Sequence, residues 1–201
     1  MTRRLPAAER RAQLLATAID VFAIDGYHAT TMDAVALQAG VTKPVLYQHF
    51  PSKHHLFLEV LHHVGRRLTE RVTRAAASTA SPREQVRLGF RAYFDFVADE
   101  PNAFRLLFGD GPRTDPEFAT TVSEVEGSIA TIIAALITTE GLDDAQRLLL
   151  AHGIVGLAES TGRHWHNSGR EVDLDDLAER VADLAWSGLR AAPTPARQIT
   201  G

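Results

Sequence analysis

No cysteine occurs among the 201 residues, which excludes a disulfide framework, thiolate catalysis and cysteine-ligated zinc and makes a reducing cytosol the simplest setting. No window approaches the roughly 20 uninterrupted apolar residues that a membrane span needs. The early apolar stretch is broken by Arg10, Arg11, Asp20 and Asp25, so it lacks the core of a signal peptide. Period-two alternation of apolar residues is also missing, which argues against sheet. These absences predict a soluble, cytoplasmic protein without a membrane partner.

What is present is 45% hydrophobic residues, enough to bury a core in one domain or in one small and one medium domain. The net charge of −4 is unevenly spread. Residues 1–76 carry ten Arg or Lys against six acidic residues, net +4, and residues 77–201 carry 11 against 19, net −8. A basic head can approach phosphates while an acidic body is held away.

Apolar residues recur at spacings of three and four, which predicts an all-α protein of about nine helices. The first runs from about Pro6 to Ile24, with Leu14, Leu15, Ala18, Ile19 and Phe22 on one face and Gly26 just past its end. Thr30 or Thr31 can cap a short second helix that Gly40 ends, and Thr42 a third with Pro44 in its first turn. Ser52 caps a longer fourth whose stripe is Leu56, Val60, Val64, Leu68 and Val72. Further helices are expected at about 83–98, 101–108, 117–139, 143–167 and 173–190, with a loop over Gly109–Pro116 and a disordered tail at 193–201.

Thr30 to Lys53 is the informative stretch. Two short helices crossing over a tight turn need small residues where they touch, and Ala36, Ala39 and Gly40 supply them. Val41 and Leu46 then turn inward as anchors. The outer face of the third helix keeps Thr42, Lys43, Pro44, Val45, Tyr47, Gln48 and His49, donors and compact apolar groups suited to base edges and phosphates in a major groove.

The order Thr31, Val35-Ala36, Ala39-Gly40-Val41, Leu46-Tyr47, His49-Phe50, Ser52-Lys53, Leu56 closely resembles the N-terminal motif of the TetR family of regulators. The resemblance implies a helix-turn-helix DNA-binding domain over 1–53 and a ligand-binding and dimerisation domain over 54–192. It implies that Thr42, Lys43, Pro44 and Val45 lie against base edges of a double-stranded operator. It also implies that Thr31, Tyr47, His49 and Lys53 contact phosphates. Arg3 and Arg4 are candidates for a minor-groove arm.

The resemblance further implies a homodimer through the last two long helices, where Leu148, Ala151, Val155 and Ala158 and then Leu174, Leu177, Val181, Leu184 and Gly188 recur at helical spacing. The family places its effector cavity in the middle of the chain. There Phe90, Tyr93, Phe94, Phe104 and Phe108 concentrate aromatic bulk, with His152 and Trp165 as polar or amphipathic neighbours, and a small, largely apolar effector suits them. The mechanism implied is a repressor released from a palindromic operator when tilting of the fourth helix changes the spacing of the two heads. An activator or a protein-controlled regulator of the same fold is the alternative, and an all-helical carrier or enzyme the competitor from another class.

The nine histidines do not form a metal site by spacing. His54-His55 and His62-His63 are adjacent pairs whose members diverge by about 100° on a helix, and His164 and His166 sit two apart. Ser160 near His152 and His164 lacks the tight turn and oxyanion donors of a nucleophile site. No cofactor, metal or catalytic residue is expected.

Overall fold

The computed structural model describes residues 6–109, 111, 115–139 and 141–191. The expected Arg3–Arg4 arm and the tail at 193–201 lie outside the described residues, as does most of 110–114. Nine α-helices make up the described chain: α1 Ala7–Ala29, α2 Met32–Gln38, α3 Lys43–His49, α4 Lys53–Ala76, α5 Pro82–Asp99, α6 Pro101–Phe108, α7 Pro116–Leu136, α8 Asp144–Asn167 and α9 Leu174–Ala191. No strand occurs among the described residues.

The punctuation follows local chemistry. Gly26, at φ 76° and ψ 164°, breaks α1 where the sequence predicts its end, although the helix resumes to Ala29. The left-handed region that Gly26 enters is costly for a residue with a Cβ. Of the two threonines that follow, Thr31 caps α2, its Oγ1 accepting from the Ala34 amide at 3.1 Å. Thr30 is buried and its hydroxyl donates back to the Gly26 carbonyl at 2.8 Å. Ser52 caps α4 by accepting from the His55 amide at 3.0 Å. Thr42 stands at the N-cap of α3 with extended backbone, but its side chain makes no cap hydrogen bond. The expected Thr42 cap is thus a backbone cap, its carbonyl accepting from the amides of Val45 and Leu46. Asp143 and Gln146 close a reciprocal capping box on α8.

The chain forms two compact units. The first comprises the chain up to Arg66 together with Glu100–Ser123. The second comprises Arg67–Asp99 together with the chain from Glu124 onward. The division differs from the single break read between residues 53 and 54, because α6 packs on α1. There the Arg105 guanidinium donates to the Ala23 carbonyl at 2.7 Å and the Asn102 amide to Asp20 at 3.0 Å. Both α4 and α7 run from one unit into the other.

The core of the first unit is the predicted stripe of α1, Leu14, Leu15, Ala18, Ile19 and Phe22, closed by Val35, Ala36, Leu46, Phe50, Leu56 and Phe57. An aromatic hub completes it. Phe57 meets Phe22 at 4.9 Å, Phe118 at 4.6 Å and Tyr27 at 5.0 Å between ring centroids, with the offset and edge geometries that aromatic quadrupoles favour.

In the second unit α9 lies along α5, and α8 packs on both. Small buried residues, Ala151 and Ala158 on α8 and Ala178, Ala182 and Ala185 on α9, let these helices approach. Arg83 pairs with Asp183 at 3.2 Å, and Arg91 pairs with Asp95 and Asp175. Among the described residues, α7 alone is long and apolar enough to cross a membrane by length and composition. Glu124 and Glu126 interrupt it, and Phe118, Val122, Val125, Ile129 and Ala130 are buried, the stripe of an amphipathic core helix.

Candidate nucleic-acid interface

The turn between α2 and α3 is four residues long, Ala39 to Thr42. Gly40 takes φ 65° there and the Val41 amide donates to the Ala36 carbonyl at 3.0 Å. This turn sets α3 across α2 while Leu46 and Phe50 sink fully into the core. Burying those two side chains contributes about 1.5–3 kcal/mol each and fixes which face of α3 is left outside. That face carries Thr42, Lys43, Pro44, Tyr47 and Gln48 exposed, with Val45 and His49 half-buried at its edges.

Lys43 is not an isolated charge. Its Nζ lies 2.9 Å and 3.0 Å from the two carboxylate oxygens of Asp33 on α2, and the hydrogen bond to Asp33 raises the ammonium above its ordinary range. The pair is exposed, so it orients the lysine without adding much stability. Tyr47, 41% exposed, presents its ring and hydroxyl one turn further on. Thr31 lies at the N-terminus of α2, where its hydroxyl is already engaged by Ala34.

Two further cations brace the motif from behind. Arg11 of α1 donates to the His49 carbonyl at 3.0 Å, pairs with Glu59 at 2.8 Å and lies 4.4 Å from the centroid of the Phe50 ring. It therefore satisfies the C-terminal end of the recognition helix, whose last carbonyls have no intrahelical donor. Gln13 reaches the Ala39 carbonyl in the same way at 3.4 Å. The sequence reading missed Arg11, yet a signal existed: it lies three and four residues before Leu14 and Leu15 and so shares the inward side of α1. Lys53 turns inward, with its ammonium on the carbonyls of Tyr27, His28 and Thr30.

The seven residues expected around an effector cavity divide between the two units. Phe104 and Phe108 belong to α6 in the first unit, 5.4 Å apart. Phe90, Tyr93 and Phe94 form a buried cluster on α5 in the second unit, with Phe94 6.3 Å from Phe90 and 5.3 Å from Tyr93. Burial, reinforced by Glu159 and Glu126, pushes the Tyr93 hydroxyl well above its ordinary pKa. His152 lies on the exposed side of α8, and the buried Trp165 donates its indole N–H to the Val172 carbonyl at 2.7 Å, sealing the end of α8. Among the described residues no cluster of three metal-ligating side chains occurs.

Residues 14–60 match the model of bacterial regulatory proteins of the tetR family, and residues 82–188 match that of the tetracyclin repressor-like C-terminal domain. The HTH-type transcriptional activator FasR of Mycolicibacterium smegmatis is 38% identical over 191 residues, covering 94% of this chain and 87% of its own. A TetR-like transcriptional regulator from a Rhodococcus species superimposes with a TM-score of 0.75 at 30% identity, over 94% of this chain and all of that one. FadR of Bacillus subtilis, solved in complex with stearoyl-CoA, superimposes with a TM-score of 0.77 at 24% identity, over 88% and 98% of the two chains. With the α2–α3 geometry in place and both halves of the chain matched, the protein belongs to the tetR family of bacterial regulatory proteins and is a DNA-binding transcriptional regulator.

Proposed function

We propose that this regulator works as a non-enzymatic homodimer that holds two α3 helices in successive major grooves of a roughly palindromic operator and leaves it when a largely apolar effector binds. The observation that carries the reading is the exposed face of α3, anchored by the buried Leu46 and Phe50. Lys43, Pro44 and Val45, with Thr42, read base edges; Tyr47 and His49, with Thr31 at the start of α2, meet phosphates.

The dimer reading is supported by what α8 and α9 leave outside. Of the predicted α8 stripe, Ala151, Val155 and Ala158 are buried within their own chain while Leu148 is 38% exposed, so the face proposed for pairing lies to the outer side of that stripe. That face carries Leu149, 72% exposed, with Gly153 and Gly156, beside Leu184 at 62% and Gly188 on α9. An added Cβ at any of the three glycines meets no atom within 4 Å. Exposed leucines between open glycines suit the close approach of a second copy.

For the effector, the buried aromatics of α5 and the stearoyl-CoA held by the Bacillus subtilis relative support a long-chain acyl thioester. One observation favours a second reading of the sign: the relative at 38% identity is named an activator. Titrating stearoyl-CoA into the protein bound to its own operator duplex separates the two. Release of the duplex supports the repressor reading. Retained or tightened binding, with more transcript in a reconstituted reaction, supports the activator. Failure of the thioester to bind the protein in either state removes the acyl class.

A further inference from the structure

Lys53 opens α4 at the position to which the family motif gives a phosphate contact, and its geometry says otherwise. An ammonium has three protons and no other donor. Here three carbonyl oxygens receive them, Tyr27 at 2.9 Å, His28 at 3.2 Å and Thr30 at 3.0 Å. The Tyr27 ring lies 4.5 Å from the same nitrogen, a cation–π contact on a partly desolvated charge. These carbonyls close the segment that follows the Gly26 break, where the helix end leaves acceptors without intrahelical donors. A phosphate would have to take the ammonium away from them.

The segment is also the run-in to the DNA-binding pair. Thr31, next in the chain after Thr30, caps α2 through the Ala34 amide, and α2 delivers α3. We infer that Lys53 is a positioning residue: it fixes the backbone of residues 27–30, and through Thr31 the start of α2, instead of contacting DNA. The inference rests on the α2–α3 reading of the interface, but it has a readout that needs no DNA.

The test compares the full-length protein with Lys53→Met and Lys53→Arg on a duplex selected by the wild type and on a scrambled one, from about 50 to 200 mM salt. Amide hydrogen exchange is followed separately without DNA. Lys53→Met is expected to weaken both duplexes about tenfold with the wild-type slope of log affinity against log salt, and to speed exchange across residues 27–34. Lys53→Arg is expected to restore little, since a planar fork cannot direct three donors as the ammonium does. A slope shallower by about 0.9 per bound chain, full rescue by arginine, or unchanged affinity overturns the inference. If Lys53→Met does not fold, the Nζ resonance of the wild-type complex decides. Lysine protons that stay on carbonyls uphold the inference, and a coupling from Nζ to a phosphate phosphorus overturns it. A wild type that selects no consensus defeats the interface reading, whereas the exchange result still judges Lys53.

Discussion

The α2–α3 pair and the α8–α9 pair are both built on small residues that let helices touch, yet they leave opposite chemistry outside. Ala36 and Ala39 are buried at the first contact, and the outer face of α3 shows Thr42, Lys43, Tyr47 and Gln48. At the second, Ala151, Ala158, Ala178, Ala182 and Ala185 are buried while Leu149 and Leu184 stand in solvent beside glycines. A wet, charged duplex is met by mixed polar groups that keep their water until it arrives. A second protein chain is met by apolar area, whose removal from water drives association. Small residues permit the helix contact in both places; under the proposed function, the residues left over distinguish a DNA-facing surface from a chain-facing one.

The largest effect that can break this comparison is a charge on the apolar face. Leu149→Glu with Leu184→Glu forfeits about 1.5–3 kcal/mol per buried leucine, so sedimentation is expected to show monomers whose helical circular dichroism is intact. Dimers that survive both substitutions would assign that face to something else. Next is Phe50→Ala, which empties a site with no exposed surface beneath the recognition helix. It is expected to cost about 3–5 kcal/mol in thermal unfolding and to weaken every duplex, since Arg11 loses the ring it covers.

Gly162→Ala probes the second unit alone. A Cβ there would lie 3.0 Å from the Tyr93 hydroxyl and 3.1 Å from its Cε1, so a loss of about 1–3 kcal/mol is expected, with the DNA affinity of the folded protein unchanged. Lys43→Ala sharpens the other side: base preference at its contact is expected to relax roughly tenfold while thermal stability stays put, as suits an exposed ion pair. The smallest effect is alkaline. Tyr93 keeps its proton to higher pH when folded than the ordinary value of 10.0 allows, so the folded state binds more protons above that value and stability falls as pH rises past it. Tyr93→Phe is expected to remove part of that decline in melts between about pH 9 and 11.

How much of this the chain announces differs between the two regions. Gly40, the alanines and the Leu46 anchor are local requirements of a tight helix pair and so are legible residue by residue, whereas Val41, read as the second anchor, is only half-buried and Phe50 fills the core in its place. The caps are nearly so; Ser52 acts as read, Thr31 is the cap of the two threonines offered for α2, and Thr42 holds α3 through its carbonyl alone. The inward turn of Lys53 is not legible, because it depends on three carbonyls 23 to 26 residues away. The aromatics divide for a similar reason: periodicity shows that Phe90, Phe94, Phe104 and Phe108 are core residues but cannot show that α6 packs on α1. On α8, a stripe of period three and four was visible, and only the fold reveals that its Ala151, Val155 and Ala158 face inward and that Leu149 stands outside.

The central claim, that the outer face of α3 reads sequence and is presented twice, is tested most directly by selecting duplexes from a random pool with the purified protein and sequencing what is bound at two salt concentrations. An inverted repeat with half-sites about 34–36 Å apart, or a multiple of that spacing, enriched at both salts, is the predicted result. Recovery of duplexes without any consensus, lost as salt rises, would contradict it and leave α3 a structural helix with a charged surface.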